Sequence, residues 1–322
     1  MTVRYQAIAV AVAATVLQAV MLIAFAWPAS ELAPRDLPVA VSGPGAAAMA
    51  DGLRARDAEA FDIVTVVDAA AAHAAITDRE AYGAIVTDGG APTVLIASAA
   101  SPAVAQQLTR IAQQLSGAPV PLIEDVVPTD PDDAGGGGFA AMVLPLVVSS
   151  LAAGYLLSLA VPSIGARLAG LGLYAAGAGL SSAAIVATVL SLLPGPHLAL
   201  AGVIGLVSVA VSATIVAAGV VSGRIGLGIG GLTFLLLGNP LSAASTGPEM
   251  LPRPWGTIGQ LLPPGAGASL LRSVAFFDGA AALAPTLVLL TWTATALAVL
   301  TVAALRPGRS ADTSVPEPVS VA

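Results

Sequence analysis

The stretch AIAVAVAATVLQAVMLIAFAW, residues Ala7–Trp27, contains no charged side chain. At about 1.5 Å per helical residue it is long enough to cross a hydrocarbon core about 30 Å thick. The composition of the whole chain agrees, because 57% of its residues are hydrophobic and only 10% are charged. The sequence therefore predicts an integral membrane protein.

This first apolar run is predicted to be a signal anchor formed by residues 1–28. It is longer than the apolar core of an ordinary signal peptide, and cleavage after Ala29 would place the bulky Trp27 three residues before the cut. We therefore expect it to be retained as a transmembrane helix. A cleaved signal peptide is the alternative.

Residues 29–138 differ in character from the rest of the chain. This region contains 15 of the 19 acidic residues but only 5 of the 12 Arg. Its β-branched segments predict strands at Leu37–Ser42, Phe61–Val67, Gly83–Asp88 and Thr93–Ser98. Ala-rich segments between and after them predict helices at Gly45–Arg56, Asp68–Asp78 and Ser101–Leu115. We expect a small α/β domain with a mixed sheet, followed by the acidic, Gly-rich linker Pro128–Gly138.

Further apolar runs follow the linker: Phe139–Val161, Leu168–Leu193, Leu198–Val221, Ile225–Leu237 and Ala281–Leu305. The fourth of these is short, and on length alone a re-entrant segment is an alternative. If every run crosses the membrane, however, one side collects Arg4, Arg167, Arg224, Arg306 and Arg309, as the positive-inside rule requires.

The predicted fold class is therefore an α-helical polytopic membrane protein of about six transmembrane helices with an inserted small extracytoplasmic α/β domain. Residues 139–306 form a five-helix transmembrane domain, and residues 307–322 form a disordered cytoplasmic tail. Both termini are expected in the cytoplasm and residues 29–138 outside.

An unusual segment precedes the last apolar run. Its central part, Pro248–Ala266, reads PEMLPRPWGTIGQLLPPGA, and its prolines prevent one continuous helix. We expect residues 239–280 to form an outer re-entrant or interfacial region with short helices at Trp255–Leu262 and Ala268–Phe277. Trp255, Phe276 and Phe277 are expected at the depth of the lipid head groups. An ordinary interfacial loop is the alternative.

The absence of several residue types excludes whole classes of chemistry. The chain has no Cys and no Lys. It therefore has no thiolate nucleophile, no Schiff-base lysine and no P-loop of the usual kind. The apolar runs contain no Asp, Glu, Lys, Arg or His, which disfavours a proton-coupled carrier. We expect no enzymatic activity, no cofactor and no metal, and the acidic charge disfavours nucleic acid as a partner.

The remaining candidate motifs are weak. His73 and His197 are the only imidazoles, and no Ser lies in the context of a nucleophile elbow. Asp130, Asp132 and Asp133 lack the further oxygen ligands of a Ca²⁺ loop. In the run GRIGLGIGG, Gly226, Gly228 and Gly231 match a dinucleotide-binding pattern only formally, while the GxxxG spacing of Gly226 and Gly230 favours helix packing.

The order of the parts, rather than any motif, is similar to a known family. The segments LPVAVSG, DIVTVVDAAAAHAAITDREAYGAIVTD and APTVLIASAASPAVAQQL resemble the external domain of the phage-infection-protein-like branch of the type-2 ABC exporter permeases. The segment GNPLSAASTGPEMLPRPWGTIGQLLPPGAGASLLR, Gly238–Arg272, looks like the re-entrant external region before the last helix of that family. The resemblance covers nearly the whole chain.

This resemblance implies a permease subunit that exports a hydrophobic or cell-envelope substrate across a bacterial plasma membrane. It implies a homodimer, or a heterodimer with a similar permease, and a separate cytoplasmic ATPase as partners. Arg167 and Arg224 are then the candidate ATPase contacts, and Glu249, Arg253 and Trp255 the candidate outer lid. The cytoplasmic loops are short for this family, which leaves a non-transporting scaffold or envelope-binding protein as the alternative.

Overall fold

The computed structural model describes residues 3–88, 91–116, 122–133 and 135–305. Within these ranges five helices are long and apolar enough to cross a membrane. A five-stranded sheet lies in the chain between the first and second of them. The structure is thus that of a helical protein of membrane type that carries a small α/β unit. The predicted tail, residues 307–322, lies outside the described residues.

In chain order the elements are α1 (Val3–Ser30), β1 (Leu37–Ser42), α2 (Ala46–Arg56), β2 (Phe61–Thr65), α3 (Ala69–Thr77), β3 (Gly83–Val86), β4 (Thr93–Ile96), α4 (Pro102–Ser116), β5 (Leu122–Asp125), α5 (Gly137–Ala160), α6 (Ile164–Ala184), α7 (His197–Leu232), α8 (Trp255–Gln260), α9 (Pro263–Phe276) and α10 (Leu283–Leu305). Helix α6 continues as a π-helical turn at Ile185–Val189, and α7 continues as one at Thr233–Gly238.

The sheet of the α/β unit has the strand order β2-β1-β3-β4-β5. Strand β1 runs parallel to β2 and β3, whereas β4 is antiparallel to β3 and parallel to β5. The four predicted strands, the three predicted helices and the mixed sheet are confirmed. Strand β5 was not predicted, because its sequence LIED is half acidic and it lies exposed at the edge of the sheet.

The two faces of the sheet are covered by different helices and are each reached by one side chain from far along the chain. Helices α2 and α4 cover one face, where Met250 joins the core. Helix α3 covers the other, where Phe277 joins a cluster rich in alanine. The prediction that Phe277 anchors in the lipid head groups is therefore wrong. It is only 5% exposed, because it is part of this buried, alanine-rich cluster of the α/β unit.

Helix α7 is the centre of the helical bundle. It is far more buried than the other membrane-type helices and packs against α5, α6 and α10. Glycines make these approaches close: a Cβ on Gly154 of α5 would lie 2.9 Å from the Ser212 carbonyl oxygen, and one on Gly179 of α6 would lie 2.4 Å from that of Ala201. Backbone packing through small residues therefore holds the bundle together.

The chain reverses direction within α7. Gly223 has non-helical angles, φ 59° and ψ −136°, which a residue with a Cβ rarely adopts. After this turn Gly226 lies against Ala218, and Gly230 lies against Ile215. A Cβ on Gly226 would be 2.0 Å from the Ala218 carbonyl oxygen. The predicted packing role of these two glycines is confirmed, and α7 consists of two antiparallel arms joined at Gly223.

Helix α9 starts inside the bundle and runs toward the α/β unit. A Cβ on Gly267 would lie 2.6 Å from the Val207 side chain, which is about 15 Å along α7 from its first residue. Near the other end of α9, the Val274 carbonyl oxygen lies 3.1 Å from a Cβ placed on Gly195, just before α7 begins. Both predicted short helices are confirmed, although α9 begins earlier than expected, at Pro263, since proline is tolerated in the first turn of a helix.

Candidate functional site

Residues 239–282, here called the cap segment, connect the end of the second arm of α7 to α10 and contact the α/β unit directly. The Tyr82 hydroxyl donates a 2.7 Å hydrogen bond to Glu249 Oε2. The exposed Arg253 forms ion pairs with Asp36 and, at 3.6 Å, with Glu59. Two of the three candidate lid residues thus hold the cap segment against the α/β unit.

The third candidate lid residue, Trp255, contacts α1 instead. Its ring meets that of Trp27 edge-on, with 6.1 Å between the centroids. Apart from Pro28, α1 has no buried residue, so this aromatic contact is a main attachment of α1 to the cap segment. The three residues therefore lie in the region predicted for a lid, and their role as a lid stays a prediction.

A cavity of about 330 Å³ lies where the α/β unit, the cap segment and the start of α10 meet. Its apolar wall includes Leu261, Ala284 and Val288. Its polar lining residues are Arg79, Glu80, Tyr82, Glu249, Thr257, Gln260, Ser269 and Arg272. The cavity is thus amphiphilic, with both arginines on its polar side.

Arg272 is the most unusual residue in this cavity. It lies in the middle of α9, between buried neighbours, and is only 3% exposed. Its Nη2 donates to the Ala244 carbonyl oxygen, and its guanidinium lies 4.4 Å from the centroid of the Phe139 ring. Its Nε has no hydrogen-bond partner in the part of the chain that the structure describes. Such an unsatisfied buried donor is rare in proteins and costly.

Arg79 approaches the same cavity from the α/β unit. It follows α3 with a left-handed backbone angle, φ 61°, which is uncommon for a residue with a side chain. Its Nη1 donates to the Ser269 carbonyl oxygen at 3.0 Å and to the Ser273 hydroxyl, both on α9. The strained backbone thus directs a second guanidinium onto α9, close to Arg272.

Burial shifts the pKa values of Arg79, Tyr82 and Arg272. Burial, and next the nearby charge of Arg79, lower the pKa of Arg272 from its usual value to about 10, although Tyr82 opposes the shift. Burial likewise lowers the pKa of Arg79, although Tyr82 and Glu249 oppose the shift. Burial, and next the charge of Glu249, raise the pKa of Tyr82. Tyr82 therefore stays a neutral donor, while Arg272 stays charged at neutral pH.

Neither arginine is paired with a carboxylate. The ion pairs found within 4.0 Å among the described residues involve Arg54, His73 and Arg253, but not Arg79 or Arg272. Glu249, whose charge acts on Arg79, accepts the hydrogen bond from Tyr82. The arrangement therefore offers two guanidinium groups to any anion that enters the cavity.

Sequence reasoning did not identify Arg79, Tyr82 or Arg272 as site residues. Arg79 and Tyr82 lie in the polar stretch TDREAY, which is typical of a solvated surface. Arg272 carried a usable signal, because it is the only charged residue of the apolar helix α9, PPGAGASLLRSVAF. A lone arginine in such a helix indicates either a snorkelling side chain or a buried functional group.

The candidate ATPase contacts lie at the opposite end of the bundle. Arg167 donates from Nε to the Val161 carbonyl oxygen at 2.7 Å and from Nη2 to that of Ser158 at 2.9 Å, so it caps the end of α5. Arg224 is exposed just after the turn at Gly223. Arg167 and Arg224 lie at the same end of the bundle. Gly219, one turn of helix before Gly223, packs against Ser158, near the end of α5. A contact with an ATPase stays a prediction.

The other sequence candidates do not form a reactive group. His73 Nε2 lies 3.6 Å from Glu124 Oε1 on the neighbouring strand β5, and His197 is exposed at the start of α7. Both carboxylate oxygens of Asp133 accept from the Gly138 backbone N–H, which ties the linker to the start of α5. In the described ranges no cluster of three His, Asp or Glu residues is suited to hold a metal ion.

These observations leave the two-arginine cavity as the strongest candidate site in the described chain. Its residues come from three separate parts of the sequence and meet only in the folded protein. Comparison of the chain with protein-family models, with curated protein sequences and with solved structures finds no match in any of the three.

Proposed function

We propose that this chain is the membrane subunit of an exporter-like system of the type-2 ABC permease class, in its phage-infection-protein-like branch. In this proposal it acts as a dimer in a bacterial plasma membrane, and a separate cytoplasmic ATPase supplies the energy. Its cargo is a hydrophobic or cell-envelope substrate. The proposal rests on the sequence resemblance together with the position and character of the cavity.

The observation that carries the proposal is the cavity between the α/β unit, α9 and α10. Its wall combines apolar residues such as Leu261 and Val288 with the guanidinium groups of Arg79 and Arg272. Pockets with a largely apolar wall and a few converging polar groups are typical binding sites. A cavity of this composition at one end of a helical bundle suits an amphiphilic cargo that enters or leaves the membrane.

The proposed topology has six crossings, with both termini in the cytoplasm and the α/β unit outside. The reversal at Gly223 supports it, because the two arms of α7 then cross separately and Arg224 joins Arg167 on one side. A Cys-free chain permits a direct test. Ser222→Cys and Asp57→Cys are exposed positions at opposite ends of the proposed arrangement.

In intact cells, we expect a membrane-impermeant maleimide to label Asp57→Cys but to label Ser222→Cys only after the membrane is permeabilised. Labelling of both positions in intact cells would contradict six crossings. Labelling of Ser222→Cys alone would invert the topology, and the positive-inside argument would then fail.

A second candidate function is a non-transporting scaffold or envelope-binding protein. One observation favours it: the end of the bundle that would face an ATPase offers little surface. Only residues 161–163 connect α5 to α6, and the arms of α7 turn directly at Gly223. Both hydrogen bonds of Arg167 are used to cap α5.

Affinity purification of the full chain from native membranes in mild detergent separates the two candidates. We expect an ATPase subunit in stoichiometric amount, and we expect Arg224→Ala to weaken its recovery because Arg224 is exposed at the proposed contact. The matched control is Arg110→Ala, an exposed arginine of the α/β unit. If intact protein repeatedly purifies without an ATPase, the scaffold is the better explanation.

A further inference from the structure

The two-arginine cavity lies level with the ends of membrane-type helices. Arg272 packs against Phe139, in the first turn of α5, and the cavity wall includes Ala284 and Pro285 from the first turn of α10. The ends of transmembrane helices lie near the lipid head groups. The guanidinium groups therefore lie at the depth where a bilayer carries its phosphates.

The charge of Arg272 is not balanced within the described chain. It is buried, it has no carboxylate within 4.0 Å, and its Nε has no hydrogen-bond partner. The nearby charge of Arg79 repels it. A buried and unpaired charge is strongly unfavourable, so such groups are usually paired or bind an ion. An anion that enters the cavity would balance the charge of Arg272 and would also accept a hydrogen bond from its Nε.

The acids of the cavity do not fill this role. Glu249 is held by the Tyr82 hydroxyl at 2.7 Å, and Glu80 is an exposed residue at the rim. A tetrahedral phosphate suits two guanidinium groups better than a carboxylate does, because it presents several oxygens to separate planar donors. The pair of arginines thus indicates a phosphate group as the ligand.

The rest of the cavity wall indicates what the phosphate is attached to. Leu261 is 57% exposed, Ala284 is exposed, and Val288 follows one turn farther along α10. This apolar side continues along the surface of α10, where acyl chains lie in a membrane. The volume of about 330 Å³ accommodates a head group but not whole chains.

We propose that Arg272 and Arg79 bind the phosphate group of an anionic lipid, whose acyl chains extend along α10 past Ala284 and Val288. The identification of this lipid as the transported cargo rests on the proposed function. The binding step itself needs no ATPase and no transport, so it is tested separately. Arg272 supplies the buried charge, and Arg79 closes the site from the α/β unit.

The test uses the full chain purified in mild detergent and native mass spectrometry. The probes are dioleoylphosphatidylglycerol and dioleoylglycerol, which have the same chains with and without the phosphate. We expect the phosphate-bearing lipid to bind much more tightly, and we expect Arg272→Met and Arg79→Met each to weaken it by about tenfold or more. Arg110→Met, a control at an exposed arginine outside the cavity, should change it by less than about twofold.

Competition with inorganic phosphate distinguishes a lipid head group from soluble phosphate as the ligand. Inorganic phosphate that competes with the lipid, with the same dependence on Arg272, would support the assignment of the head group. Inorganic phosphate that binds where the lipid does not would overturn the lipid and assign the site to soluble phosphate. Arg272→Lys keeps the charge without the planar donors, so we expect intermediate binding.

Equal binding of the two lipids, or lipid binding unchanged in both Arg272→Met and Arg79→Met, would overturn the proposal. A matching size-exclusion profile shows that each variant is folded. If arginine-dependent lipid binding is present but no ATPase is recovered, the site stands and the transport function fails. If an ATPase is recovered but both lipids bind equally, the transport function stands and the site fails.

Discussion

Replacing Arg272 by methionine is predicted to make the ligand-free protein more stable. Burial and Arg79 lower the pKa of Arg272 from its usual value to about 10, which corresponds to a cost of roughly 3 kcal/mol for keeping the charge inside the protein. Methionine is unbranched and flexible, carries no charge, and is shorter than arginine. It loses the hydrogen bond to the Ala244 carbonyl oxygen and the contact with the Phe139 ring, together about 1–2 kcal/mol. The net gain is about 1–2 kcal/mol.

The assay is thermal unfolding of the delipidated protein in detergent, followed by tryptophan fluorescence. A gain of this size corresponds to a rise in Tm of about 2–4 °C. Arg272→Lys, which keeps a buried charge, should give no such rise, and Arg110→Met should leave Tm unchanged. With saturating anionic lipid the order of the wild-type protein and Arg272→Met should reverse, because the lipid stabilises the wild-type protein more than it stabilises Arg272→Met.

The pH dependence follows from the same pKa. Because the folded pKa of about 10 lies below the pKa of an arginine in the unfolded chain, the unfolded chain binds the proton more tightly. The stability of the wild-type protein should therefore rise as the pH increases through about 10. The difference in Tm between the wild-type protein and Arg272→Met should become smaller over the same pH range. A fall in Tm of about 4 °C or more for Arg272→Met would refute this reasoning and make Arg272 a structural stabiliser.

Three further predictions concern packing and hydrogen bonds. Gly226→Ala should destabilise the protein by about 2 kcal/mol or more in thermal unfolding, since the added Cβ meets the Ala218 carbonyl oxygen at 2.0 Å, whereas Gly228→Ala, with nothing within 4 Å, should be neutral or slightly stabilising. Arg167→Ala should cost about 1–2 kcal/mol because α5 loses its cap, while Arg224→Ala should leave Tm unchanged. Tyr82→Phe should cost about 1–2 kcal/mol and increase proteolysis between the α/β unit and the cap segment, because Glu249 loses its donor.

Most of the architecture was predictable from local patterns. Long apolar runs mark the membrane-type helices, and β-branched segments separated by Ala-rich ones mark the α/β unit. The turn at Gly223 was also visible, as a Ser-Gly-Arg sequence between two apolar runs. Strand β5 was not, because an edge strand needs only one paired side and tolerates acidic residues such as Glu124.

The candidate site was harder to predict, because it depends on contacts between distant parts of the chain. Arg79 and Ser269 are far apart in sequence, and no local pattern indicates that their elements meet. Phe277 was misplaced for the same reason: an aromatic residue beside a membrane helix is typical of an interfacial anchor, yet the α/β unit buries it. Sequence reasoning located the cap segment but not the direction in which its side chains point.

The shortness of α9 has a consequence for how the protein is made. With 14 residues and a central arginine, it is too short and too polar to partition into a bilayer by itself as it leaves the translocon. It reaches its depth only by docking on partners, and one of these, α10, is synthesised after it. Insertion of α10 is therefore the step that commits the cap segment to its place. A chain that stops before α10 would lack the part of the α9 packing surface that α10 supplies, and we expect it to be cleaved more readily by the proteases of membrane quality control.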